Sequence, residues 1–178
     1  DILDYTSIEL NDIKLSKAAF STRDLLLEVA EQFQGLSGEK SITLSTESDD
    51  MAVMADRARC LQILINLVGN ALKFSKADHI YLRARAQGTG FRFEVEDNGR
   101  GIDKKDLTRI FQAFTQIENA DNRSEGGTGL GLAICKKLSI AHGGDITVES
   151  IVGTGTKFTV FFPFSLDAPT SKQLAQAA

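Results

Sequence analysis

Hydrophobic periodicity changes several times along the chain, and each change marks an element. Apolar residues at Ile2, Tyr5 and Ile8 recur at helical spacing and fit the tail of a helix that starts upstream. Residues 13–20 alternate and predict a short strand. Ser21 followed three residues later by Asp24 is a capping-box-like start for a helix to about Leu36. Leu25, Leu26, Val29, Ala30 and Phe33 form its apolar face, with Gly35 and Gly38 as its end. Residues 41–46 and 51–54 predict two more short strands. A second helix is expected over about 57–75, with Leu61, Leu64, Ile65, Val68 and Leu72 as its stripe. Strands at 79–86 and 91–97 are joined by Gln87-Gly88-Thr89-Gly90, a hairpin signal. Residues 98–129 break the pattern: they are polar and glycine-punctuated, with one short helix near 103–110. A loop of that length inside a compact domain is usually functional or mobile. A helix at about 130–141 and a hairpin of 145–150 with 157–163 close the pattern. After Pro163 the chain turns to Ser, Ala, Gln and Thr, which reads as a linker or frayed tail. There is no internal repeat. The expectation is an α+β fold: a two-layer α/β sandwich with a mixed, mostly antiparallel sheet covered by helices on one face and more exposed on the other.

Composition narrows the function classes. With 178 residues and 42% hydrophobic content the chain suits one domain with a real core. A net charge of −4 argues against duplex nucleic acid or an anionic membrane as partner, while leaving single basic residues available to a phosphate ligand. No apolar run approaches a membrane span, and the N-terminus lacks a signal peptide's layout, so a soluble fragment without direct membrane contact is expected. A parent chain could still carry membrane segments. Cys60 and Cys135 stand far apart in no metal-ligand spacing and read as two buried thiols, although a bridge between them stays open. Neither His79 nor His142 has a carboxylate or cysteine cluster around it, so neither suggests a metal site.

Three polar groups interrupt the apolar pattern. Asn66, Asn70 and Lys73 are spaced i, i+4, i+7 and share one helix face. Two asparagines in mid-helix cost stability. They either satisfy hydrogen bonds locally or face solvent, or they serve a ligand: an amide oxygen suits magnesium and an ammonium suits phosphate. Glu96-Asp97-Asn98-Gly99-Arg100-Gly101-Ile102 ends an alternating strand, where the Asp97 carboxylate can point into a pocket and the glycines admit a flat ligand. An ordinary acidic turn has the same chemistry. Gly126-Gly127-Thr128-Gly129-Leu130-Gly131-Leu132 opens the helix at 130–141. Exposed amides at a helix N-terminus make a phosphate site, and a flexible hinge is the plain alternative. The loop has no Lys-Ser/Thr ending and follows no strand, which argues against Walker and Rossmann loops.

In their order and spacing these pieces resemble the catalytic domain of sensor histidine kinases, in the ATPase superfamily shared with type II topoisomerases and mismatch-repair proteins. Asn66-Leu67-Val68-Gly69-Asn70-Ala71-Leu72-Lys73-Phe74 resembles the N box, Asp97 to Ile102 the G1 box, Phe111-Gln112-Ala113-Phe114-Thr115-Gln116 the F box, and 126–132 the G2 box. His142-Gly143-Gly144-Asp145-Ile146 and Gly153-Thr154-Gly155-Thr156-Lys157-Phe158 resemble the closing strands. The likeness runs over roughly 15–163. It implies the end of a dimerisation helix at 1–10, the ATP-binding domain at 11–164 with the Bergerat-type fold, and a linker or tail at 165–178.

The resemblance also implies roles. Asp97 accepts the adenine amino hydrogen, which discriminates against guanine. Asn70 holds Mg2+, with Asn66 helping at the metal or triphosphate, and Lys73 neutralises phosphate charge. Gly99, Gly101, Gly127, Thr128, Gly129 and Gly131 line the loops that receive the nucleotide. Ile102 and Leu130 wall the base, and Thr156 touches adenine directly or through water. Phe111 and Phe114 anchor a mobile lid or are plain core residues. Arg123 is a basic lid position or a solvated arginine. Water-splitting relatives carry a glutamate where this chain has Asn66, and an amide cannot take a proton from water at neutral pH. The site is therefore expected to hold ATP for a protein nucleophile, by positioning and charge neutralisation.

The acceptor histidine and its general base are expected upstream of residue 1, so no catalytic residue is assigned in this chain. His79 and His142 are assigned structural places, the latter as a charge favouring a helix C-terminus. Partners implied are the dimerisation/phosphoacceptor domain of the same protein and a response regulator or receiver domain; the Phe-x-x-Phe-Thr-Gln pattern is similar to that of kinases with a receiver downstream. The resemblance places the domain in the cytoplasm, on a parent anchored in a bacterial inner membrane. Ala113 stands where proline is common, and Ser124-Glu125 replace basic or aromatic residues, changes that bear on lid motion and affinity. A degenerate binding module, a regulatory ligand other than ATP and an anti-sigma-type serine kinase are the rival readings.

Overall fold

The computed structural model describes residues 6, 13–39, 42–117 and 127–164. The dimerisation-helix end expected at 1–10 (apart from Thr6, which is helical), Arg123, Ser124-Glu125, Gly126 and the tail expected at 165–178 lie outside the described residues.

A small two-stranded sheet stands apart from the main one. β1 (Ala18–Ser21) pairs antiparallel with β3 (Ala52–Ala55), Ala18 opposite Ala55 and Ser21 opposite Ala52. β1 is shorter than the alternation at 13–20 predicts. Its partner runs out first, because β3 is followed at once by Asp56, the cap of the next helix. α1 (Thr22–Glu39) begins where Ser21 Oγ accepts the Asp24 amide at 3.2 Å, the first half of the expected capping box. It runs through Gly35 rather than ending there. A glycine in a helix costs about 1 kcal/mol against alanine, which the burial of Leu25, Leu26 and Val29 outweighs.

α2 (Arg57–Phe74) is capped by Asp56, whose carboxylate accepts the Arg59 amide at 3.1 Å. Its buried face is Cys60, Ile63, Leu64, Leu67, Val68, Ala71 and Leu72. The predicted stripe is rotated from this, with Leu61 and Ile65 only half-buried. The cause is tertiary: α2 packs against α1, against α4 (Gly131–Ala141) and against the sheet, so small residues such as Cys60 and Ala71 occupy closely approached positions. A short helix, α3 (Lys104–Leu107), lies between the sheet and α4 in sequence.

The main sheet has the order β2-β4-β5-β7-β6, made of β2 (Thr43–Ser48), β4 (His79–Gln87), β5 (Gly90–Asp97), β7 (Gly155–Pro163) and β6 (Asp145–Ile151). β2 is parallel to β4, and the other pairs are antiparallel. Alternation then divides the residues. One face carries Ile80, Leu82, Phe91, Phe93, Val95, Phe158, Val160, Phe162 and Ile146, all buried under the helices. Phe91, Phe93 and Phe162 meet at centroid distances of 5.5 to 6.2 Å. The other face carries Arg83, Arg85, Glu94, Glu96, Lys157 and Glu149, tied by ion pairs such as Arg83 with Glu96 and Lys157 with Glu149. Such pairs contribute only about 0–1 kcal/mol each, so the helix-covered face holds the fold. The α+β two-layer architecture expected from the sequence is the one observed.

Candidate functional site

The alternation that buries Phe93 and Val95 also turns Asp97, at the end of β5, toward the helices. Its register partner on β7 is Thr156, and Thr156 faces Ser150 on β6. The three form a polar row where the strands before it are apolar. Asp97 is 7% exposed, and one carboxylate oxygen accepts the Gly99 amide at 2.9 Å. Burial pushes its pKa above the ordinary carboxylate value, and the amides of Gly99 and Thr156 pull partly the other way. The Ser150 hydroxyl lies 2.9 Å from Thr156 Oγ1, 2.9 Å from the Gly155 carbonyl that accepts from it, and 2.8 Å from the Ile102 amide that donates to it. Ser150 thus joins the closing strands to the loop after β5. The sequence reading missed it, although a serine at a core-facing position after Ile146 and Val148 was a usable signal.

The G1-like loop is fastened by backbone. Arg100 N donates to Ser75 O at 2.7 Å at the end of α2, and Gly153 N donates to Arg100 O at 2.8 Å in the β6–β7 turn. A Cβ on Gly99 would lie 2.1 Å from Ser75 O, and one on Gly101, at φ +71, would lie 2.2 Å from Ile151 O. These two glycines are required by the protein's own chain, not merely by the approach of a flat ligand. Ser75 is a second residue the sequence reading missed. Ile102 is half-buried against the core.

The other two boxes meet from the opposite side. Phe114 N donates to Gly129 O at 2.9 Å, and Gln116 Nε2 donates to Gly127 O. The two phenylalanines differ in place. Phe111 packs edge-on to Phe158 at 6.3 Å and is a core-anchored residue. Phe114 is 66% exposed and adopts φ +62, a left-handed conformation rare for a bulky residue. Gly127 and Thr128 are exposed, Gly129 half-buried and Leu130 fully buried. α4 then starts at Gly131 with Leu130 as its cap residue and no side-chain cap hydrogen bond. Among the described residues no cap side chain takes up its first-turn amides, and the positive end of the helix dipole lies there.

Asn66 and Asn70 are half-buried on α2, and Lys73 is exposed one turn later, its Nζ 5.3 Å from the Phe74 ring centre. Asn66 Nδ2 donates to Gly131 O at 3.4 Å, which joins the N-box helix to the first turn of α4. Gly127 lies against Phe74 at the C-terminal end of the same helix. The end of α2, the start of α4, the loop after β5 and the β6–β7 turn are thus linked in one continuous set of contacts.

The histidines sit elsewhere. His79 stacks on Tyr81 at 4.2 Å and bonds Ser45 Oγ at 3.0 Å. His142 corrects the expectation of a charged group at a helix end. Its Nδ1 lies 2.8 Å from Leu138 O, so it carries the proton and donates, and Nε2 accepts the Asp56 amide at 3.2 Å. Acceptance at Nε2 requires the neutral ring, and burial lowers its pKa. Cys60 and Cys135 are free and buried, as expected of thiols that pack as small apolar groups.

Residues 55–166 match the family described as Histidine kinase-, DNA gyrase B-, and HSP90-like ATPase, well over half of the chain. The chain belongs to this family. Relatives of this histidine kinase-like ATPase domain include the sensor protein TorS of Escherichia coli K12, 38% identical over 99% of this chain and 20% of its own length. The sensor histidine kinase RcsC of the same organism is 38% identical over 92% of this chain and 18% of its own length. The chain therefore spans about a fifth of the length of these relatives. Among solved structures, full-length ShkA in complex with AMPPNP superposes with a TM-score of 0.84 at 36% identity, over 94% of this chain and 35% of that one. The nucleotide-free catalytic domain of the histidine kinase ThkA gives 0.74 at 31% identity, over 84% of this chain and 97% of that one. Among the described residues of this ATPase domain no helix is long and apolar enough to cross a membrane.

Proposed function

We propose that the domain binds magnesium ATP between the loop after β5 and the start of α4, and donates the γ-phosphate to a histidine on the dimerisation helices of a sensor kinase. One observation carries this reading: a buried carboxylate at the end of β5 and an uncapped helix N-terminus are joined through the same loops to the asparagine-bearing face of α2. Asp97 is the adenine-selecting acceptor, with Thr156 beside it and Ser150 holding Thr156 in place. Ile102 and Leu130 supply apolar walls for the base. The loop from Gly127 to Gly131 and the dipole of α4 receive phosphate, and Lys73 supplies positive charge.

Magnesium fits the donors present. Among the described residues no three His, Cys, Asp or Glu side chains gather into a metal site. A cation here would lean on phosphate oxygens and neutral amide oxygens from Asn70 and Asn66, in keeping with an ion that keeps several waters and binds with substrate phosphates. When bound, it neutralises charge on the transferred group. The chain's own work is orientation and desolvation. Position 66 carries an amide, which cannot deprotonate water, so the phosphate is kept for a protein nucleophile. Arg123 belongs to the same proposal on its sequence position alone.

The partners proposed are the phosphoacceptor helices of the same protein and a response regulator or receiver domain. In support, relatives are named sensor histidine kinases, and a structure of ThkA in complex with the response regulator TrrA resembles this chain with a TM-score of 0.73 at 28% identity. A cytoplasmic place on a membrane-anchored parent belongs to the same reading. The test is calorimetric titration of ATP, ADP and GTP with magnesium. Adenine-selective binding is expected; equal binding of GTP, or none of ATP, would defeat the reading.

A further inference from the structure

Ser150 has one hydroxyl hydrogen and three partners, and the chemistry of those partners leaves one way to satisfy them all. The Gly155 carbonyl, at 2.9 Å, only accepts, so it takes the Ser150 hydrogen. The Ile102 amide, at 2.8 Å, only donates, so it takes one Ser150 lone pair. The Thr156 hydroxyl, also at 2.9 Å, is the third partner, and by distance alone either oxygen can be the donor. With the Ser150 hydrogen committed to Gly155, the donor is Thr156. The sheet order fixes where that hydrogen goes. β7 lies between β5 and β6, with Thr156 opposite Asp97 on one side and opposite Ser150 on the other. Thr156 therefore gives its one hydrogen toward β6, on the side away from Asp97. Both Thr156 and Asp97 are buried, at 5% and 7% exposure.

We infer that Ser150 is a positioning residue that sets base selectivity: by taking the Thr156 hydrogen it makes Thr156, like the Asp97 carboxylate, a pure acceptor toward the base. This role rests on the ATP reading above. A pair of acceptors suits an exocyclic amino group, which carries two hydrogens, and opposes a ring carbonyl in the same place. Lone pairs facing lone pairs in a buried site leave polar groups unpaired on both sides, and that is the costly case. A Thr156 hydroxyl free to rotate would donate to a carbonyl as readily as it accepts from an amine. The bonds from Ser150 to Ile102 N and Gly155 O thus do more than fasten loops, because they dictate the direction of the third bond. Ser150 acts through Thr156 and touches no ligand atom itself.

Base preference separates this role from that of a merely structural serine. The probes are ATP and inosine triphosphate, which carries a carbonyl where ATP carries the amino group, each titrated with magnesium by calorimetry. Ser150→Ala frees the Thr156 hydroxyl, and the preference for ATP should fall about tenfold, the scale of one hydrogen bond made or opposed. Thr156→Ser keeps the hydroxyl and should hold the preference within about twofold of wild type. In a Thr156→Val background, Ser150→Ala should leave the preference where Thr156→Val alone puts it. A loss of affinity equal for both nucleotides, or a change of preference that persists undiminished beside Thr156→Val, overturns the inference. A ligand-free arm decides even where Ser150→Ala does not fold. Neutron diffraction from the deuterated, nucleotide-free domain should place the Thr156 deuterium on the line to Ser150 Oγ and the Ser150 deuterium on the line to Gly155 O. A Ser150 deuterium directed at Thr156 overturns the inference whether or not nucleotide binds. Wild-type protein that binds neither nucleotide overturns the ATP reading together with the selectivity half of this one, and the deuterium positions still decide which hydroxyl donates.

Discussion

Helices α2 and α4 run antiparallel, and their two ends are finished in opposite ways. Where α2 starts and α4 ends, polar groups are matched to one another. Asp56 caps α2 and also accepts the Ser16 amide at 2.8 Å, while His142 spends both ring nitrogens on Leu138 O and the Asp56 amide. Where α2 ends and α4 starts, α4 has no side-chain cap, Asp97 is a buried carboxylate whose pKa burial raises, and Lys73 lies exposed. Uncapped amides and a buried charge each oppose folding unless something else meets them. One end is finished for stability; the other keeps hydrogen-bonding capacity for a ligand, at some cost to the unliganded fold. Substitutions at the two ends should accordingly separate affinity from stability.

The largest effect is expected at Asp97. Asp97→Asn should lower ATP affinity by about a hundredfold, the loss of a charge-assisted hydrogen bond worth ~1.5–3 kcal/mol. Its effect on stability runs the other way. A carboxyl whose folded pKa is raised stabilises the fold fully only below its unfolded pKa, and that contribution is lost as pH rises through the folded value. At neutral pH the ionised group opposes folding, so the neutral amide should leave the thermal midpoint unchanged or higher. Calorimetry and thermal unfolding on one preparation read both. A midpoint that drops with the affinity would make Asp97 a structural residue.

Next comes Gly99. A Cβ there would stand 2.1 Å from Ser75 O, backbone that cannot move aside cheaply. Gly99→Ala should destabilise the domain by about 1–3 kcal/mol through overpacking, measured by urea denaturation, and should weaken nucleotide binding because the loop carrying Ile102 shifts. An unchanged urea midpoint would mean the loop is not held by Ser75. At the other end, Asp56→Ala should destabilise by about 1–2 kcal/mol through loss of the α2 cap. It should leave ATP affinity at saturating folded fraction unaltered. A change in affinity there would break the division between the two ends.

Which parts were legible in the sequence follows the same division. Asn66 and Asp97 were singled out because each interrupts an apolar pattern, and Gly129 because glycines precede a helix; the structure brings their segments into contact. Ser75 and Ser150 were missed, because what they do is hold backbone amides across the sheet and loop, and a serine carries no sign of its distant partner. The stripe on α2 was misplaced since periodicity marks one face, whereas α2 is packed from three sides. The His142 expectation failed for a related reason. Position near a helix end is visible in sequence, but burial against Asp56 is not, and burial decided the charge.

The smallest effect is the pH dependence of His142, and it tests the comparison most finely. A histidine whose folded pKa lies below its unfolded value of about 6.5 contributes stability above that value, and loses it as pH falls through the lowered one. Burial is the main cause, with Lys17 acting in the same direction and Asp56 and the Leu138 carbonyl opposing it. Below about pH 6.5 the wild-type domain should therefore lose stability on acidification, with a slope of at most about 1.4 kcal/mol per pH unit, the limit for one proton. His142→Gln keeps a donor for Leu138 O and an acceptor for the Asp56 amide without a titrating group, so it should flatten that slope. Asp97 contributes the opposite sign, gaining stability as its raised pKa is crossed downward, so Asp97→Asn should steepen the acid loss that His142→Gln relieves. Urea midpoints of the three proteins between neutrality and mild acid read both slopes. If the two substitutions moved the acid slope in the same direction, the opposite electrostatic finish of the two ends of the helix pair would be wrong.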